Sequence, residues 1–148
     1  QQYQFLLLGH PTVRGQSHAD ECDILACALA QFIAARQQVR RGLGVTAFGV
    51  NAVVFPPGFE GFLHYHDAQD ELYFVHAGTA RVEVGGEVRE LGVGGLLHVE
   101  SSTPRKVSNA SDKEDLVVLV VGAKDGYVER DGHLVEPADA ARRAAFGS

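Results

Sequence analysis

The chain has no methionine, only two cysteines and no long apolar run. Each absence narrows what it can be. Without a methionine the sequence implies a trimmed start, and a processed leader stays open as a reading. Cys22 and Cys27 lie five apart in a helical pattern and point in different directions; they form neither a disulfide framework nor a Cys-x-x-Cys motif. A reduced, cytoplasmic setting is the expectation that follows. Phe5-Leu6-Leu7-Leu8 is too short for a signal-peptide core, and nothing approaches membrane-spanning length, so no membrane partner is expected. Positive charge is scarce as well: 13 Lys and Arg against 19 Asp and Glu leave a formal charge of -6. That balance argues against a nucleic-acid partner. The most basic stretch, Gln37 to Arg41, reads instead as a helix C-terminus complementing its dipole.

What is present is ordinary for one globular domain: 148 residues, 45% hydrophobic and 22% charged. Tyr3 to Leu8 reads as a strand stopped by Gly9-His10-Pro11, and Thr12 to His18 as loop. From Ala19 the period turns helical, with Ile24, Leu25, Ala28, Leu29, Phe32 and Ile33 on one stripe. Asp20 or Ser17 caps its start and Gly42 or Gly44 its end, although Val39 to Arg41 also suits a strand. Beyond Val45 short β-type runs alternate with turn signals: Val45–Phe55, the run around His64, the run from Glu71, Ala80–Val84, Glu87–Leu91, Leu96–Val99, Arg105–Ser108 and Leu116–Val121. Gly85-Gly86 marks a hairpin. This spacing predicts an all-β antiparallel barrel or sandwich with the N-terminal helix packed outside it, or used as a dimer-forming arm. The barrel core is expected over about 45–121, the N-terminal strand and helix over 1–44 and a C-terminal tail over 122–148, where EPADAARRAAF can make a helical turn.

The chemistry concentrates between Gly58 and Gly78, in GFEGFLHYHDAQDELYFVHAG. His64 and His66 are two apart, so in a strand they share a face. Asp67 to Asp70 suits a turn, and Glu71 opens the next run. If the two runs pair antiparallel, Glu71 faces both histidines across the strand pair. Two imidazoles and a carboxylate on one face can hold a divalent cation.

Gly58, His64, His66, Glu71 and Gly78 resemble the first motif of the cupin family at every fixed position. The resemblance implies a jelly-roll barrel (double-stranded β-helix), a homodimer, and a divalent metal, Fe, Mn, Ni or Zn, on His64, His66 and Glu71. A second cupin motif can be laid from Gly94 to Asn109 with its spacing intact, but its interior differs. Glu100 replaces the usual proline, Ser102 a glycine, and Arg105 the fourth ligand histidine. Arginine has no lone pair for a metal. Three outcomes remain: Arg105 clamps a substrate carboxylate or enolate beside a three-ligand metal, it neutralises Glu71 in a metal-free cavity, or it points out of the barrel while another residue supplies the fourth ligand.

Other candidates follow from strand parity. Tyr73 shares the face of Glu71, so its hydroxyl can enter the cavity as a catalytic or supporting group. Phe62 shares the face of His64 and suits the cavity wall. Asn51, among apolar neighbours, is a substrate contact if it faces inward. His98 in Leu-Leu-His-Val is a spare ligand or proton shuttle if it faces inward, and otherwise an ordinary strand histidine. His76, next to a turn, is expected to be exposed. The leading functional expectation is a metal-dependent dioxygenase or isomerase acting on a small, anionic molecule. The alternative is a metal-free ligand-binding module in which Arg105 pairs with Glu71.

Overall fold

The computed structural model describes residues 3–7 and 39–146. The helix expected from Ala19 and the Cys22–Cys27 spacing lie outside the described residues. The described chain runs β1 (Tyr3–Leu7), α1 (Val39–Leu43), β2 (Gly49–Phe55), β3 (His64–His66), β4 (Asp70–Ala77), β5 (Ala80–Val84), β6 (Glu87–Leu91), β7 (Gly95–Val99), β8 (Arg105–Asn109), β9 (Leu116–Ala123), β10 (Gly132–Leu134) and α2 (Asp139–Phe146). Five strands make a sheet in the order β1-β7-β4-β9-β2 and five more a sheet in the order β10-β3-β8-β5-β6, all antiparallel. This is the jelly-roll arrangement.

The core follows from alternation. Tyr73, Val75, Leu97, Val99, Leu116 and Val118 point inward from the first sheet, meeting Val82, Val84, Leu91 and Val107 from the second. Each such side chain stabilises the fold by about 1.5–3 kcal/mol when fully removed from water. The opposite face of β2 carries Val50 and Ala52, which bury Val39 of α1 against Leu119 and Val121. The end of the N-terminal segment thus packs outside the barrel, as expected, and Val39 to Arg41 is helix rather than strand.

Turns fix the register. Gly85-Gly86 closes the β5–β6 hairpin with Val84 opposite Glu87, both glycines at positive φ. Gly78 joins β4 to β5 at φ 78°, and a Cβ there would sit 2.5 Å from the Asp115 carbonyl oxygen. Only glycine fits this turn, which accounts for the last position of the first motif. Asn109, which ends the second motif, is buried; its Nδ2 donates to the carbonyls of Phe55 and Glu114 at 2.9 and 2.7 Å. It staples the end of β2 to the loop before β9.

One expected pairing is corrected. β3 and β4 are not partners; they lie in opposite sheets. The eight-residue β4 forms ladders with both β7 and β9, whereas a three-residue β3 would offer it few hydrogen bonds. Asp67 to Gln69 therefore carries the chain across the barrel. No helix among the described residues is long and apolar enough to cross a membrane.

Candidate metal centre

β3 brings His64 and His66 to the interior from one sheet, and β4 brings Glu71 to face them from the other. Single ligand atoms of the three residues lie within 4.8 Å of one another. Glu71 thus reaches the histidines across the barrel, not along a strand pair.

Both imidazoles are oriented from behind. His64 Nδ1 lies 2.9 Å from the Phe62 carbonyl oxygen and His66 Nδ1 2.6 Å from Asp131 Oδ1. The Phe62 carbonyl only accepts, so His64 Nδ1 carries the proton; His66 Nδ1 faces both the accepting Asp131 carboxylate and, at 2.8 Å, Gln69 Nε2, which itself donates to Asp131 Oδ1 at 2.6 Å, and each Nε2 is turned toward Glu71. His66 Nε2 is 3.3 Å from Glu71 Oε1, and His64 Nε2 is 3.7 Å from Oε2. An imidazole facing a carboxylate in this way needs a second proton or a shared cation. A ligating histidine backed by a carboxylate is the usual support of a metal site. The donor set of two Nε2 atoms and a carboxylate oxygen fits a divalent first-row cation.

Glu71 divides its oxygens. Oε2 accepts from the Tyr73 hydroxyl and from Arg105 Nε at 3.2 Å, and Arg105 Nη2 lies 3.1 Å away at an angle outside hydrogen-bond geometry, an ionic contact. Oε1 is left toward His66. Burial pushes the Glu71 carboxyl up, but hydrogen bonds and charge from His64 and His66 outweigh it and hold the group well below its ordinary range. Burial likewise lowers His66, and Glu71 and Asp131 reverse this, leaving its pKa raised. Tyr73 is pushed well above its ordinary value, first by burial and then by the Glu71 charge, so its hydroxyl keeps its proton.

Arg105 is 0% exposed and does not line the cavity. Its Nη1 donates to the carbonyls of Ser101 at 2.7 Å and Thr103 at 2.9 Å. The turn before β8, where the proline and glycine of the second motif are missing, wraps these carbonyls around the guanidinium. Of the three outcomes, Arg105 takes the pairing with Glu71. Its guanidinium stays inside the barrel and outside the cavity lining. Two further expectations are corrected. Asn51 has the parity of Val53 and Phe55 but lies exposed at the start of β2, outside the cavity lining. His98 faces outward beside Leu72, with Asp70 Oδ2 at 4.0 Å, because Leu97 and Val99 occupy the inward parity of β7. His76 is half-buried on the outer parity of β4. Phe62 lines the cavity.

Two site residues had no sequence signal. Asp131, 65 residues beyond His66, also accepts from the amides of Ala68 and Gln69 at 2.9 and 3.1 Å. Burial raises its pKa, but hydrogen bonds from His66 and those amides outweigh this and hold it well below the usual value. β10 puts it there by pairing Gly132 with His66. Arg143, from α2, lines the cavity together with Val53, Phe55, Phe62, Val107 and Val120. The cavity measures about 180 Å³.

Residues 51–122 match the family model of the cupin domain. Together with the two-sheet barrel and the His-His-Glu group, that match assigns this segment to the cupin family. Residues 51–122 form a cupin domain. Its barrel is similar to a cupin protein from Bacteroides fragilis, 26% identical, with a TM-score of 0.56 over 65% of this chain and 81% of that one. It is also similar to a DMSP lyase from Ruegeria pomeroyi, 26% identical with a TM-score of 0.54, covering 62% of this cupin and 44% of the lyase. An uncharacterised protein of Streptomyces coelicolor is 43% identical over 54 residues, 36% of this chain, and the match spans 50% of that relative. Oxalate decarboxylase of Bacillus subtilis, 23% identical with a TM-score of 0.54 over 67% of this cupin and 26% of that chain, shares the fold.

Proposed function

We propose that this cupin is a metalloenzyme that holds a divalent cation, Fe, Mn, Ni or Zn, on His64, His66 and Glu71. It acts on a small anionic substrate as a dioxygenase or an isomerase. The observation that carries this reading is the convergence of two Nε2 atoms on a carboxylate whose Oε1 is left open, with every opposite atom of the three side chains already tied. With Arg105 in place of a fourth ligand, three protein donors leave coordination positions for substrate or O₂. The cation supplies Lewis acidity and, if iron or manganese, redox capacity. The chain's own residues do the rest. Phe62 and Asp131 hold the imidazoles in the ligating tautomer. Arg105 balances Glu71 without covering Oε1. Tyr73 directs its proton at Glu71 Oε2. Val53, Phe55, Val107 and Val120 keep the reaction space dry. Similarity to a DMSP lyase supports a catalytic use of this barrel.

The Arg105–Glu71 contact favours one second reading, a metal-free ligand-binding barrel in which that ion pair replaces the cation. Elemental analysis separates the two. About one metal per chain in freshly purified protein, lost on His64→Ala, supports the enzyme. No metal after anaerobic addition of Fe²⁺ or Mn²⁺ refutes it and leaves the binding module.

A further inference from the structure

Among the described residues, Arg143 is the one lysine or arginine that lines the cavity. It is half-buried and has no hydrogen-bond or ion-pair partner among the described residues. Glu71, the one carboxylate lining the cavity among the described residues, has committed Oε2 to Tyr73 and Arg105. Arg143 is held there from outside the barrel. Its neighbour Arg142 donates to the carbonyls of Glu60 and Gly61 at 2.8 and 2.9 Å and lies 4.6 Å over the Phe62 ring. Gly61 is in turn tied to Ser108 Oγ at 3.0 Å. α2 is thus fastened to the segment that enters β3, and Arg143 follows Arg142 into the cavity wall.

A half-buried guanidinium with no anion within hydrogen-bond or ion-pair distance is costly, and a planar fork of donors suits a carboxylate. Burial and the charge of Arg130 lower its pKa from the ordinary arginine value, the Glu71 charge works the other way without reversing them, and an incoming anion would add to the Glu71 effect. Apart from His64, Glu71 and Tyr73, the remaining wall is apolar. The space corresponds to about six water molecules, well below the pockets that hold drug-sized ligands.

We propose that the cavity binds a short monocarboxylate, its anionic head on Arg143 and its apolar body against Val53, Phe55, Phe62 and Val107. Arg143, not Arg105, is the specificity-determining cation. This deepens the metalloenzyme reading by naming its substrate class, although the anion contact itself requires no metal.

The test is a ¹⁹F NMR titration with trifluorobutyrate and its neutral analogue trifluorobutyramide, on protein as purified and after chelator treatment, with metal content measured on each sample. Variants are Arg143→Gln, Arg143→Lys and, as a charge control on the exposed side of β5, Arg81→Gln. Wild type and R81Q should prefer the carboxylate about ten- to a hundredfold. R143Q should lose that preference while binding the amide as before and keeping the wild-type metal content, and R143K should recover part of it. An unchanged preference in R143Q, or no preference or no carboxylate binding in wild type, overturns the inference. Loss of preference in R143Q with no metal in any sample, even after anaerobic addition of Fe²⁺ or Mn²⁺, leaves the inference standing and refutes the metalloenzyme reading instead.

Discussion

Replacing Arg105 with methionine keeps the buried stem and removes the guanidinium. In the metal-free protein this strips Glu71 of contacts at 3.1 and 3.2 Å and leaves the Ser101 and Thr103 carbonyls without their Nη1 donor. Breaking a fully buried ion pair from one side costs about 3–5 kcal/mol. For a domain of this size that corresponds to a fall of about 10–20 °C in Tm. Glu71→Gln combined with Arg105→Met should cost several kcal/mol less than the sum of the two single changes, because the uncompensated charge is then gone. A cation on His64, His66 and Glu71 would replace part of the lost positive charge, so Mn²⁺ should stabilise Arg105→Met more than wild type. Urea denaturation of the four proteins of the cycle, with and without Mn²⁺, measures all of these. A loss below about 1 kcal/mol for the single Arg105→Met change would refute the reasoning, since it would mean that Glu71 does not depend on Arg105.

Three further predictions follow from the same geometry. Asp131→Asn removes the carboxylate behind His66 and should weaken metal binding about 10–100-fold; unchanged affinity in a competitive chelator titration would detach Asp131 from the site. Because the folded pKa of His66 is raised, its contribution to the stability of the metal-free protein is complete below its unfolded value of about 6.5 and is lost as pH rises through the folded value. Metal affinity should rise over the same window, since the cation displaces the Nε2 proton; flat stability across it would count against the His66–Glu71 contact. Gly78→Ala places a Cβ 2.5 Å from the Asp115 oxygen at positive φ and should destabilise by about 1–3 kcal/mol, whereas a neutral result in thermal melts would mean that the β4–β5 turn relaxes freely.

Much of the site was legible because its signals are local. A period of two puts His64 and His66 on one face whatever β3 pairs with, and Tyr73 on the face of Glu71. Gly78 and Gly85-Gly86 announce turns by what only glycine can adopt. The hairpin, the run of short strands and the terminal helix follow from the same short-range rules, as does the inability of Arg105 to ligate a metal.

Tertiary structure alone decided the rest, because those outcomes depend on competition between distant partners. β4 left β3 for the longer ladders offered by β7 and β9, which moved Glu71 to the opposite sheet without changing the face it presents. Asn51 has inward parity yet stands exposed near the N-terminal end of β2, beyond the residues that line the cavity. Arg105 turned to Glu71 because the Ser101 and Thr103 carbonyls were there to receive its remaining donors. Asp131 and Arg143 reach the centre from a tail whose own pattern reveals only a strand-like triplet and a short helix. Sequence spacing determined the three donors that can meet a cation; only the closed barrel determined what stands behind them and which arginine faces the ligand.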